Sequence, residues 1–256
     1  MVAIMKIDTM EQFELLPRAP IVEAVIQVLA RAETSWNEEG VFALLKPKLA
    51  EFQSVVLQAS VRQHVMFSPA LPPIISQENL GRGVMGQSKD RRVQFSREGL
   101  FFSKLQPYQS WNQFSGDALR LWNIYAEVAR PLEMQRIGLR FINKIQLPPR
   151  ELDFEKYIQP HPVPPVGLEP SFLGFFHQDT LGVPDHPYAI NIVRTIQPPP
   201  NPLTDGSGLI IDIDAFTTQS FENGLGVLEQ RLAELRWLKN KAFFGSVTPA
   251  ALQLFR

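Results

Sequence analysis

Cysteine is absent from the 256-residue sequence. That absence removes disulfide bridges, thiolate metal sites and thiol nucleophiles, and it leads to the expectation of a cytoplasmic protein. Long hydrophobic runs are also missing, and no stretch reaches the roughly 18–20 apolar residues that a membrane-spanning helix needs. The opening segment, MVAIMKIDTMEQFELLPRAP, carries acids and lacks the basic and then apolar blocks of a secretory signal. Charge of one sign is not in excess either. Lys and Arg number 25 against 26 Asp and Glu, a formal net charge of −1, so no global field draws the protein to nucleic acid or to a membrane.

Familiar catalytic motifs are missing as well. No serine sits in a GxSxG elbow and no lysine in a phosphate-binding P-loop. The histidines His64, His161, His177 and His186 include no pair at the helical spacing of HExxH. His177 and Asp179 are close in sequence, but with no third ligand indicated they read as an exposed loop pair. The stretch Gly81–Gly86 reads GRGVMG and matches the letters of the dinucleotide fingerprint GxGxxG. That fingerprint works where a strand precedes it and a helix follows, so that the helix N-terminus meets the pyrophosphate. Here PPIISQENL precedes it and QSKDRRVQFS follows, alternating as a strand does, so it reads as a glycine loop between strands. No cofactor is expected.

What is present is an ordinary globular composition, 45% hydrophobic and 20% charged, with 22 prolines. The prolines gather in Leu147–Pro170 and Gln197–Gly208, which read as loops because proline fixes φ and removes a donor. Strands are expected at Ile21–Arg31, Val55–Ser68, Met134–Leu147, Tyr188–Ile196 and Leu209–Phe216. RRVQFS and GLFFSKL form a further pair around the Arg97-Glu98-Gly99 turn. Helices are expected at Glu38–Phe52, with a break at Pro47, and at Ser115–Ala129. A long one runs over Phe221–Phe243 behind Ser220 as cap, and a short one starts at Thr248-Pro249. Trp122 and Trp237 fall on helices and read as packing residues.

Alternating polarity along the strands points to a largely antiparallel sheet with helices packed on one face, an α+β fold. Residues 1–256 read as one structural unit built from two pseudo-halves, about 1–130 and 131–256. By analogy, an open saddle similar to that of the TATA-binding protein suits this order.

The strongest chemical feature is Arg136, Arg140 and Lys144, which alternation places opposite Ile137, Leu139 and Phe141. With Arg31, Arg62 and Arg92 on the polar sides of their own strands, the open face would carry six cations against Glu23, Asp212 and Asp214. Such a face suits phosphate, a nucleic-acid backbone or an acidic protein, or else is a salt-bridged solvent face that binds nothing. Asp212 and Asp214 share one strand face. They read as candidate Mg²⁺ or Mn²⁺ ligands or an acid–base pair, against the plainer role of cross-strand partners for arginines.

Several pieces together resemble a known family: LPRAPIVEAVIQV near the start, VQFSREGLFF followed by Tyr108 and Trp111 as YxxW, RIGLRFINKI in the middle, and LRWLKNKAFFGSVTPAALQLF after the IDIDAF strand. The chain is similar over nearly its whole length to a sporadically distributed family of bacterial proteins of uncharacterised function. The resemblance implies no activity and no site residue. It implies a gene that travels, as defence, toxin–antitoxin or mobile-element modules do. The expectation is therefore a non-catalytic binding module that recognises a protein partner, such as a neighbouring gene's product, through the open charged face. Two further readings stay open: a nucleic-acid-binding protein using the same face, and a metal-assisted hydrolase using Asp212 and Asp214, with Glu23.

Overall fold

A computed structural model describes residues 5–33, 36–68, 71–149, 153–167, 174–199, 201 and 204–256, with the backbone course alone over 60–81. The first half contains β1 (Ile21–Leu29), α1 (Glu38–Leu45) continuing into a 3₁₀ turn (Lys46–Leu49), β2 (Ser54–Ser68), β3 (Leu71–Gln87), β4 (Arg91–Ser96), β5 (Gly99–Leu105) and α2 (Trp111–Ala129). The second contains β6 (Glu133–Met134), β7 (Arg136–Gln146), β8 (Phe176–Gly182), β9 (Ala189–Gln197), β10 (Gly208–Thr217), β11 (Phe221–Glu222), α3 (Leu225–Ser246) and α4 (Pro249–Gln253).

Nine of these strands form one sheet in the order β2-β3-β4-β5-β1-β7-β10-β9-β8. Every neighbouring pair is antiparallel. Outward from the β1/β7 junction the order runs β1-β5-β4-β3-β2 on one side and β7-β10-β9-β8 on the other. A helix closes each set, α2 after β5 and α3 after β10.

Period-two alternation puts Ala24, Ile26 and Val28 of β1, Ile137, Leu139 and Phe141 of β7, and Ile211, Ile213 and Ala215 of β10 on one buried face. The helices cover that face. Phe114, Leu121, Trp122 and Tyr125 come from α2, and Leu228, Leu232, Leu235 and Leu238 from α3. Each buried side chain of this size contributes about 1.5–3 kcal/mol relative to exposure. The buried Tyr125 hydroxyl donates to the Ala30 carbonyl at 2.6 Å, whereas Arg194 Nε and Arg231 Nε are buried without a hydrogen-bond partner among the described residues. Ser110 Oγ caps α2 by accepting from the Gln113 amide.

The hairpin turn before β5 requires its glycine. Gly99 has φ +137°, and a Cβ there would stand 2.1 Å from the Val28 carbonyl oxygen. Among the described residues no helix is long and apolar enough to cross a membrane.

Four local expectations need correction. GRGVMG is not a loop but lies inside β3, where a Cβ on Gly86 would come within 2.9 Å of Val93 Cγ1. That glycine serves close packing, not phosphate binding. Helix α1 does not run on to Phe52: it stops at Leu45, and the expected break at Pro47, which cannot donate to a helical ladder, is present as the 3₁₀ turn. The long C-terminal helix starts at Leu225 behind Gly224, because Phe221 and Glu222 are drawn into backbone pairing with Met134 and Glu133. Finally, His177 and Asp179 lie on β8, in register with Arg194 and Ile192 of β9, and not in a loop.

Candidate functional site

The open face of the sheet gathers several of the expected charges. Arg136, Arg140 and Lys144 fall on one side of β7, and Asp214 of β10 stands in register with Arg140. Their guanidinium groups are committed within the sheet. Arg140 takes both oxygens of Asp212, with Nε at 2.8 Å from Oδ1. Arg136 donates to Asp214 at 3.0 Å and to Gln27 at 2.6 Å, and lies 4.9 Å from the ring centre of Phe216. Glu23 accepts from the Ser103 hydroxyl. The clamp by Asp212 raises the Arg140 pKa above its ordinary value, with Asp214 and Glu23 adding to it. Burial pushes Asp214 above the usual carboxylate range despite Arg136 and Arg140.

The other cations of this group are less engaged. Lys144 is half-buried and Arg92 exposed, and neither has an ion-pair partner among the described residues. Arg31 is exposed beyond the end of β1. The side chains of Arg62 and His64 lie outside the described residues. So four cations, Arg92, Arg136, Arg140 and Lys144, face three carboxylates, and two of the four are neutralised at contact distance. Both candidate metal-binding carboxylates, Asp212 and Asp214, are held by arginines. No cluster of three or more His, Asp or Glu side chains suited to a metal occurs among the described residues. At the sheet edge Asp179 accepts from the buried Arg194 at 2.8 Å and pairs with His177 at 3.3 Å. Arg194 lowers the Asp179 pKa. His186 bonds the Met5 carbonyl, tying down the start of the chain.

A second site lies on the helix-covered side. A cavity of about 840 Å³ opens where β7, α3 and the start of α2 meet an extended N-terminal strap. Residues 13–21 of that strap form one wall. It is fastened along its length. Glu11 accepts from Trp237 Nε1 at 2.7 Å and from Lys241 at 2.6 Å. Phe13 stacks on Phe244 with ring centres 5.6 Å apart. Glu14 takes Arg256 at 2.6 and 2.8 Å, and Arg18 Nε donates to the Arg256 carbonyl at 2.9 Å.

The opposite wall comes from Gln106–Trp111, where Tyr108 sets its ring edge-on to Phe141 at 5.5 Å. Burial pushes the Tyr108 hydroxyl well above its ordinary pKa. Phe141 and Asn143 of β7 face the cavity. Asn143, the polar member of an otherwise apolar strand face, is buried and donates to the carbonyls of Ile211 and Phe141 at 3.1 and 3.3 Å.

Helix α3 supplies Arg236, Lys239, Asn240, Phe243 and Phe244. Lys239 Nζ stands 4.0 Å from the centre of the Phe141 ring, and Arg236 lies 5.2 Å from that of Trp111. Burial first, and then the nearby Arg236 charge, push the Lys239 pKa down to about 7. A ring face returns about 2 kcal/mol or somewhat more to a desolvated cation, less than burying an unpaired charge costs. Neither Arg236 nor Lys239 has a carboxylate partner among the described residues. The cavity wall does hold one carboxylate, Glu14, but Arg256 occupies it and lowers its pKa. The site is a chamber of mixed lining whose α3 wall carries two cations, Arg236 and Lys239, that no carboxylate among the described residues pairs with.

Reading the sequence alone misses this site. A signal for it exists: Lys239 follows Leu235 by four residues on the stripe of Leu228, Leu232 and Leu235, where a lysine is out of place.

No protein-family model matches the chain, and comparison with curated proteins and with solved structures finds no significant match.

Proposed function

We propose that the protein is a small-molecule binding protein whose site is the cavity between the N-terminal strap, the start of α2 and α3. The observation that carries this is a chamber of about 840 Å³ lined by more apolar than polar surface, with polar groups on each wall and the cations Arg236 and Lys239 on that of α3. Ligand sites commonly have volumes of ~300–1,000 Å³ and this division of lining. The floor is rigid, since Phe141 and Asn143 belong to the central strand of the sheet. No reaction is assigned; the function proposed is binding.

The charged sheet face is the less supported of the two surfaces. Arg136 and Arg140 satisfy their charges on Asp214 and Asp212, which leaves Lys144 and Arg92 to attract an acidic protein or a nucleic acid. Paired surface charges add little to recognition unless the pair is broken.

The test uses 1-octanol as an uncharged probe and follows the chain's tryptophan fluorescence during titration, Trp111 being the one of the four tryptophans in the cavity wall. Saturable binding that disappears in Ala19→Trp, a wall residue enlarged to fill the chamber, supports the proposal. Absence of saturable binding, or binding that Ala19→Trp leaves unchanged, overturns it.

A further inference from the structure

We infer that the ligand of this cavity is a monocarboxylate with an apolar body, its carboxylate held between Arg236 and Lys239; the inference rests on the cavity being a ligand site. Helix α3 carries four cations between Arg231 and Lys241, and they divide by location. The two outside the chamber are paired: Arg231 with Glu234 at 3.0 Å and Lys241 with Glu11 at 2.6 Å. The two that line it, Arg236 and Lys239, have no carboxylate partner among the described residues.

Their spacing, i and i+3, puts them on neighbouring positions of one helix face, one turn apart. Each backs onto an aromatic ring, Arg236 on Trp111 and Lys239 on Phe141. The rings hold the cationic heads beside the chamber and offer no acceptor in the plane where a carboxylate would lie. A guanidinium fork matches a carboxylate with two parallel hydrogen bonds, and the ammonium adds a third. Among the remaining wall residues, Phe13, Leu16, Phe243 and Pro107 offer apolar surface that suits a hydrocarbon or aromatic body, beside the polar Gln106, Gln109 and Asn240.

The charged or titratable groups that share the chamber with Lys239 are Arg236 of α3, Tyr108 from the segment before α2, and Glu14 and Arg18 of the strap. The strand beneath contributes only Phe141 and Asn143. Burial, helped by the Arg236 charge, brings the Lys239 pKa down to about 7, so it changes charge near neutral pH. A bound carboxylate favours the ammonium, so binding takes up a proton and affinity rises as pH falls.

The experiment is calorimetric titration of the full chain with octanoate, 1-octanol, octylamine and octyl phosphate, repeated with Arg236→Gln/Lys239→Met. Octanoate is expected to bind at least about tenfold more tightly than octanol, since charge-assisted bonds are worth that factor or more. The double variant loses that preference, so that octanoate and octanol bind it equally. Octanoate affinity falls between about pH 6 and about pH 9, whereas octanol affinity does not. Equal affinity for octanoate and octanol, or tighter binding of octylamine or octyl phosphate, overturns the head-group inference and leaves the cavity reading intact. Failure of all four to bind overturns both.

Discussion

The ammonium of Lys239 stands 4.0 Å from the centre of the Phe141 ring, and no carboxylate among the described residues pairs with it. This relationship joins the buried stripe of α3 to β7, beside the centre of the sheet, and it leaves a charge in the wall of the cavity. The cost of keeping that charge gives the first prediction. Burial lowers the Lys239 pKa from its ordinary 10.5 to about 7, so between those values the unfolded chain binds more protons than the folded one. Stability therefore rises with pH across that window, by at most about 1.4 kcal/mol per pH unit for one proton. Urea unfolding of wild type and Lys239→Met at about pH 7 and about pH 9.5 checks this. The wild type gains on the variant as pH rises; parallel behaviour would mean that Lys239 titrates normally.

On the open face, Arg140→Met strands Asp212, whose side chain is only 13% exposed. The expected loss is about 1–3 kcal/mol, the range for a partly buried group left without its partner. Arg140→Met/Asp212→Leu should recover most of it, since the pair itself contributes little net stability. Additive losses in denaturant unfolding would contradict this account of the pair.

Glu11 ties the strap to α3 through Trp237 and Lys241. In Glu11→Ala, amide exchange over residues 11–18 is expected to quicken while β7 stays protected, because local opening needs only the strap's contacts to fail. Unchanged protection of the strap would show that the Phe13 stack and the Arg256 contacts suffice without Glu11.

Gly99→Ala tests the hairpin turn. The residue combines φ +137° with the close approach of the Val28 carbonyl, so a methyl group meets both backbone strain and a clash. A loss of about 2–4 kcal/mol is expected, read as a fall in the denaturation midpoint. A loss below about 1 kcal/mol would mean that the turn relaxes into another geometry.

The parts of the fold legible in the sequence are those where local pattern and tertiary role agree. Ile137, Leu139 and Phe141 alternate against Arg136, Arg140 and Lys144, and β7 has the faces that this alternation implies. Strand β3 is illegible because Pro72, Pro73 and its glycines carry no alternation; pairing with β2 holds it. Strand β8 is exposed along most of its length and so has no apolar face to betray it. The charged residues of the open face could be named, but their pairing could not. That Asp212 and Asp214 meet Arg140 and Arg136 depends on β10 lying beside β7. The cavity was still further from view. Its walls come from four separated segments, and only the misplaced Lys239 and Asn143 mark it in the one-dimensional pattern.

The most direct measurement is amide chemical-shift mapping of the full chain titrated with octanoate. A small-molecule site in the cavity predicts saturable shifts confined to residues 13–21, 106–111 and 236–244, with Phe141 and Asn143 beneath them. Shifts centred instead on Arg140, Asp212 and Lys144 would place recognition on the open face and contradict the account.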